Sequence, residues 1–133
     1  MIQYQEIMPL LAQSCASFTP RWRDGSADDF LDAEGNLLTY VALGDFARHL
    51  VELASARRFD EFPAVFTVVE RLHVEGDKQV QEAATIGLLE AIQNRAEHAG
   101  VDKGLFYSWL GSESQKWWNK LNNFWDGTSA FSR

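Results

Sequence analysis

Apolar residues recur along this chain mostly at intervals of three and four, which is the spacing of one face of an α-helix. Long runs that alternate between apolar and polar residues are absent, so the pattern predicts an all-α fold. We expect one domain over residues 1–133, a bundle of five to six helices. The predicted helices cover about residues 4–16, 40–57, 61–74, 77–98, 103–110 and 112–125, with irregular chain from 18 to 38 and a tail from 126 to 133.

Polar residues and glycines predict where these helices begin and end. Asp60 and Asp77 are expected to cap the third and fourth helices, because an aspartate carboxylate accepts hydrogen bonds from the unpaired N–H groups of a first turn. Gly76 is expected to close the third helix in the left-handed conformation. Ser112, followed three places later by Gln115, predicts a capping box for the last helix.

The stretch DKQVQEAATIGL, residues 77–88, predicts a helix that packs closely against others. Its apolar residues share one face, and the small ones among them let a second helix approach. A second apolar flank follows, at Ile86, Leu89 and Ile92. We therefore expect the fourth helix to be central and covered on both sides.

The third and fourth helices together, about residues 60–98, resemble one HEAT repeat, and residues 77–88 match the inner-helix signature of that family. Two positions depart from it: Gln81 stands where the family more often has Arg or Lys, and Gly87 where Ala is usual. One repeat cannot bury its own face, and no second copy occurs at a period of about 35–45 residues. The other helices are therefore expected to close the bundle around this HEAT-like pair.

Charge narrows the possible partners. The chain has 12 Lys and Arg against 19 Asp and Glu, a net charge of −7. Such a surface repels phosphate backbones and anionic lipid and favours basic partners, so we expect no nucleic acid and no membrane. Cys15 is the one cysteine, which favours a reducing compartment, and no export signal is recognised, so we expect a cytoplasmic protein.

Candidate catalytic and metal-binding residues are few. Glu70 and His73 have the spacing of a di-iron motif, but such a site needs a second motif and two more glutamates, so a solvated helix face is expected. Asp45 and His49 are expected to form a surface pair. Cys15 is expected to be a buried structural residue. We predict no catalytic residue, no metal, no cofactor and no enzymatic activity.

The segment WWNKLNNFW near the carboxyl end is rich in aromatic residues. Helical spacing puts Trp117, Leu121, Phe124 and Trp125 on one face, which is expected to close the core over the fourth helix. The alternative is that Trp118 or Trp125 is exposed and anchors a partner, since tryptophan dominates the energetics of many interfaces.

Acidic residues concentrate in the segment from residue 24 to residue 34. Charged runs are usually solvated surface, and that interpretation stays open. The functional alternative is that these acids meet a basic patch on a partner protein. The candidate partner-binding residues are Asp24, Asp28, Asp29, Asp32 and Glu34, together with Asp60 and Glu61.

A broader resemblance runs from YVALGDFARHL through VVERL and EGDKQVQEAATIGLLE to WLGSESQKWWNKLNNFW, within residues 40–125. The chain is similar there to small bacterial all-helical proteins that resemble immunity proteins, the cytoplasmic antidotes encoded beside polymorphic or contact-dependent growth-inhibition toxins. The resemblance implies a protein that neutralises a basic toxin domain by stoichiometric occlusion. The alternative is a helical adaptor or structural interaction module without a toxin partner. The oligomeric state stays open.

Overall fold

Helices form nearly all the regular structure of this chain. A computed structural model describes residues 1–27 and 29–125, without the side chains of 25–27, 124 and 125. Within those residues no β-strand occurs, and the fold is an all-α bundle, as the sequence predicts. None of the described helices is long and apolar enough to cross a membrane. The helices are α1 (Ile7–Gln13), α2 (Thr19–Ala27), α3 (Thr39–Ser55), α4 (Phe62–Glu75), α5 (Lys78–Glu82), a π-helical segment (Ala83–Leu89), α6 (Glu90–Ala99), α7 (Gly104–Tyr107) and α8 (Ser112–Trp125), with 3₁₀ turns at Tyr4–Glu6 and Ala16–Phe18.

The central element is the unbroken helical run formed by α5, the π-helical segment and α6. α3 packs along the π-helical segment and α6. α4 packs against α5 and the π-helical segment, and α8 packs against the π-helical segment. Asp77 caps its start, because the Asp77 carboxylate accepts a 2.9 Å hydrogen bond from the amide of Val80. Gly100 ends it in the left-handed conformation, with φ +70°. The predictions of a central helix, of its cap at Asp77 and of an end near residue 98 are confirmed.

Close approach between α3 and the π-helical segment depends on Gly87. A Cβ atom at this position would lie 2.7 Å from the Leu43 side chain. Leu43 and its neighbours in the π-helical segment, Ala83, Ala84 and Leu88, are fully buried. Small residues therefore let α3 approach the central run closely, as the spacing of residues 77–88 predicts.

The segment before α3 contains more helix than the sequence analysis predicts. The 3₁₀ turn Ala16–Phe18 leads directly into α2, where Pro20 occupies the first turn, the place in a helix where its missing N–H costs nothing. Phe18 is fully buried and Trp22 packs partly buried against the core. After α2, an isolated antiparallel bridge joins Leu31 to Leu37.

Three predicted helix ends are wrong in detail. Glu61 rather than Asp60 is the amino-terminal cap residue of α4, and no side chain caps that helix. Gly76 is extended, with φ −85°, and a Cβ there would overlap the Val80 side chain and the Leu72 carbonyl oxygen, so the position needs space rather than a left-handed backbone. Ser112 does not supply the expected cap of α8, because the amide of Gln115 donates to the Gly111 carbonyl instead.

Gly76, which is crowded, and Gly44 of α3, which is not, should respond in opposite ways to an added methyl group. Gly76→Ala should lower the free energy of unfolding by about 1–3 kcal/mol, because the added methyl group must displace packed atoms. Gly44→Ala, inside α3 with nothing within 4 Å of the new Cβ, should raise it by about 0.5–1 kcal/mol through helix propensity. Urea unfolding followed by circular dichroism measures both. Equal effects at the two positions would contradict the packing argument.

Candidate functional site

Three acids of the segment predicted from sequence, Asp29, Asp32 and Glu34, lie in one loop, residues 29–38, which we call the acidic loop. Asp32 organises it: its carboxylate accepts from the amides of Glu34 and Asn36 at 2.9 and 2.8 Å and from the Asn36 side chain at 3.3 Å. These bonds, the Asn36 amide first among them, lower the pKa of Asp32. Gly35 completes the turn with φ +83°, a conformation that favours glycine.

Arg21 of α2 fastens the acidic loop to the body of the protein. Its guanidinium donates to Asp29 at 2.7 Å and to Asp45 of α3 at 2.8 Å, and it lies 5.0 Å from the ring centre of Phe30. The Asp45 side chain is 14% exposed. Burial opposes its ionisation, but hydrogen bonds from Arg21 and Arg48 outweigh that effect and lower the pKa of Asp45. The loop is therefore held at both its start and its turn.

The predicted partner-binding acids fall into separate groups. The exposed ones are Asp24, Asp29, Glu34 and Asp60. Asp32 is half-buried, and its carboxylate is used within the turn. Asp28 lies outside the described residues. Glu61 is half-buried and bonded within the protein, and its assignment to the partner-facing set stays a prediction.

Glu61 belongs to a polar cluster with Ser17 and His49 that the sequence analysis did not predict. The Glu61 carboxylate accepts from the Ser17 hydroxyl and, at 3.0 Å, from the Ser17 amide, while His49 Nε2 lies 2.7 Å from Ser17 Oγ. Burial opposes the ionisation of Glu61, but the two bonds from Ser17 outweigh it, and the pKa of Glu61 is lowered. The cluster joins the 3₁₀ turn before α2 to α3 and to the start of α4.

The positions of the protons in this cluster indicate that it holds three elements together and does not activate the Ser17 hydroxyl as a nucleophile. An ionised carboxylate can only accept, so the single Ser17 hydroxyl proton goes to Glu61. His49 Nε2 must then carry a proton and donate to Ser17 Oγ, and it cannot act as the base for that hydroxyl. Asp45, expected to pair with His49, bonds Arg21 and Arg48 instead.

Cys15 lies beside the cluster, with its sulfur 3.6 Å from Ser17 Oγ and 3.7 Å from Glu61 Oε1. The residue is fully buried, as predicted, and burial raises the pKa of its thiol to about 11. The thiolate is the nucleophilic form, so this cysteine is held unreactive at neutral pH. Among the described side chains, no three His, Cys, Asp or Glu residues are grouped so that they could hold a metal ion.

The aromatic helix α8 buries Leu121, as expected, but Trp118 rather than Trp117 enters the core fully. Ser114, Trp118 and Leu121 are buried, and the Trp118 ring lies 6.2 Å from that of Phe106. The assignment of Trp118 as an exposed anchor is therefore wrong. Trp117 is half-buried instead, with Lys120 4.5 Å from its ring centre. The side chain of Trp125, the other proposed anchor, lies outside the described part of the chain.

Glu70 sets this orientation of α8. Its carboxylate accepts from the amides of Glu113 and Ser114 at 3.1 and 2.9 Å and from the Ser114 hydroxyl at 2.8 Å. A carboxylate at a helix amino end satisfies unpaired N–H groups and matches the helix dipole. A Cβ at Gly111 would overlap the Glu70 side chain, so glycine leaves the room for this contact. The expected solvated face at Glu70 and His73 is therefore wrong.

His73 extends the same network into the core, where it is 4% exposed. Its Nδ1 lies 3.0 Å from the Val69 carbonyl oxygen, which only accepts, so Nδ1 carries the proton. Nε2 lies 3.1 Å from the hydroxyl of Thr85 in the π-helical segment, and Ser114 Oγ lies 3.2 Å from Nδ1. The imidazole thus connects α4, the π-helical segment and α8.

A further surface feature, missed by the sequence analysis, lies where the acidic loop joins α3. Leu38, Tyr40 and Val41 are 37%, 43% and 52% exposed, and we call them the apolar patch. Helical spacing carries a signal for it, because Val41 shares its face with Asp45 and not with the buried stripe of α3.

The fold and these contacts define a small all-α protein arranged around one central helical run. A family model described as "Domain of unknown function (DUF7674)" matches residues 8–126, and the chain belongs to that family. No curated protein and no solved structure matches the chain.

The role of Glu70 can be measured by stability. Glu70→Ala should lower the free energy of unfolding by about 2 kcal/mol, because two amides and one hydroxyl lose their acceptor. Glu75→Ala, on the same helix, removes an exposed ion pair with Arg71 and should change stability little. A loss at Glu70 no larger than that at Glu75 would refute the capping role.

His73 predicts a pH dependence of stability. Burial lowers the pKa of His73 below its ordinary value of 6.5, and the Val69 bond offsets this only partly. The unfolded chain therefore binds the proton more readily, so the stability that neutral His73 contributes is present above that value and is lost as pH falls toward the folded pKa. Wild type should lose more stability than His73→Gln between about pH 7.5 and pH 5.5. Parallel slopes in urea titrations, or a His73 ring that titrates above 6.5 by NMR, would contradict this.

Proposed function

We propose that this protein is an immunity-type protein, which binds a basic toxin domain in the same cell and neutralises it by stoichiometric occlusion. The observation that carries the proposal is the acidic loop: a charged surface segment held in one conformation. Loops exposed for binding gain affinity when they are ordered beforehand, because less conformational entropy is lost on association. Asp32 and Arg21 supply that order without using the Glu34 side chain.

Charge supports a basic partner. The chain carries a net charge of −7. Its exposed acids include Asp24 in α2, Asp29 and Glu34 in the acidic loop, and Asp60 just before α4. A negative surface attracts a basic protein during diffusion and raises the association rate at low ionic strength. An antidote benefits from rapid association, because free toxin acts until it is bound.

The polar cluster also supports binding over catalysis. Ser17 and His49 are the residues whose chemistry could suggest hydrolysis, but their protons are committed to Glu61 and to Ser17 respectively. Cys15 is held as a protonated, buried thiol. The absence of enzymatic activity remains part of the proposal.

Co-expression tests the proposed function. A toxin domain encoded next to the gene for this protein is expressed with and without it, and growth and co-purification are measured. The proposal expects restored growth and a stoichiometric complex. A gene with no neighbouring toxin, or a neighbouring toxin that this protein neither binds nor neutralises, would favour the adaptor function instead.

Charge reversal tests the surface. The double variant Asp24→Lys, Glu34→Lys should slow association with the toxin domain about three- to tenfold at low salt and flatten its salt dependence, since both side chains are exposed. Glu97→Lys, exposed in the last turn of α6, reverses one charge away from the loop and should slow association by less than half as much on a logarithmic scale. Association rates from stopped-flow fluorescence measure this, and slowing by Glu97→Lys in proportion to its smaller charge change would leave only a net-charge effect.

A further inference from the structure

Exposed large hydrophobic side chains are few among the described residues. Three of the five, Leu38, Tyr40 and Val41, form the apolar patch, and the other two are Met1 and Val74. The patch is therefore the place where such side chains follow one another along the chain.

The apolar patch is fixed in place by its own backbone and by its neighbours. The Leu38 amide donates to the Phe30 carbonyl oxygen at 2.6 Å, and the Ala42 amide donates to the Leu38 carbonyl oxygen at 3.0 Å. The Tyr40 ring packs over Gly87, where a Cβ would lie 3.5 Å from it. The patch is therefore a firm surface and does not depend on a flexible loop.

Acidic residues lie next to this patch. Burial, with the nearby charge of Glu82, an exposed residue of α5, raises the pKa of the Tyr40 hydroxyl. Along the chain, the acidic loop with Glu34 leads directly into Leu38. An apolar centre with a charged rim is the usual arrangement of a protein-binding surface.

We propose that the apolar patch, with Glu34 and Glu82 at its rim, docks a basic segment of the partner protein that carries one apolar or aromatic side chain. The apolar side chain covers Leu38, Tyr40 and Val41, and flanking Arg or Lys residues meet the rim carboxylates. This inference rests on the proposed function and specifies its contact surface. Charge complementarity selects this occupant over an anionic membrane or an acidic segment.

Synthetic peptides test the inference with the whole protein. The first is a twelve-residue Arg- and Lys-rich peptide with a central Trp-Leu pair; in the second Ser-Ser replaces that pair, and in the third Glu replaces the basic residues. Titration of ¹⁵N-labelled protein should shift the amide signals of residues 34, 38–41 and 82 with the first peptide. The other two peptides should bind at least about tenfold more weakly.

Matched variants separate the patch from a general charge effect. Val41 is the most exposed residue of the patch, so Val41→Ser should weaken binding of the first peptide about five- to tenfold without loss of fold. Val41→Ile keeps an apolar surface and should bind as wild type does. The inference would be overturned if the first peptide shifted only amides outside these residues, or shifted none at millimolar concentration. Equal binding of the Ser-Ser peptide would overturn it as well.

Two further outcomes distinguish this inference from the proposed function. If Val41→Ser still neutralises the toxin with wild-type affinity, the contact surface is wrong and the immunity function stands. If the peptides behave as expected but no neighbouring toxin is neutralised, the surface stands and the immunity function fails. Concentration-dependent self-association that shifts residues 38–41 without peptide would identify a second copy as the occupant and overturn the inference.

Discussion

The contact between Glu70 and the start of α8 determines how the last helix lies on the bundle. One carboxylate accepts from two amides and a hydroxyl of α8, and Gly111 makes room for it. With the first turn fixed in this way, Ser114 and Trp118 must face inward, since they follow one another at the helical spacing of four. The tryptophan is consequently part of the core and presents almost no surface to solvent.

His73 couples that contact to the centre of the molecule. Its two ring nitrogens lie against a carbonyl of α4 and a hydroxyl of the π-helical segment, and Ser114 joins it to Glu70. A buried polar network is costly when one member lacks a partner, so it specifies one relative arrangement of the three helices. Apolar packing alone, as between Leu43 and Gly87, tolerates small shifts more readily.

Much of the helical pattern could be predicted from the sequence, because it depends on spacing along the chain. The α3 stripe, the cap at Asp77 and the glycine end at Gly100 are all local features. The contacts of Glu70 and of Glu61 could not be predicted in this way. Their partners lie more than forty residues away, and a carboxylate that caps another helix has the same local sequence as one that faces solvent.

The orientation of α8 shows the same limit within one helix. Apolar spacing alone allows either Trp117 or Trp118 to face inward, and a contact from another helix decides between them. The acidic loop differs from both cases. Its acids were visible in the sequence, but their use as turn-forming and ion-pairing groups was not, because Arg21 and Asp45 come from separate helices.

The turn formed by Asp32, Gly35 and Asn36 has a consequence for how relatives of this chain can diverge. Its hydrogen bonds use the side chain of Asp32 and backbone groups of the residues that follow, so the side chains of Ala33 and Glu34 take no part in holding its shape. Those two positions can change size and charge while the backbone stays where it is. Substitutions there can therefore alter the exposed surface of the turn without any repacking of the helices beneath it.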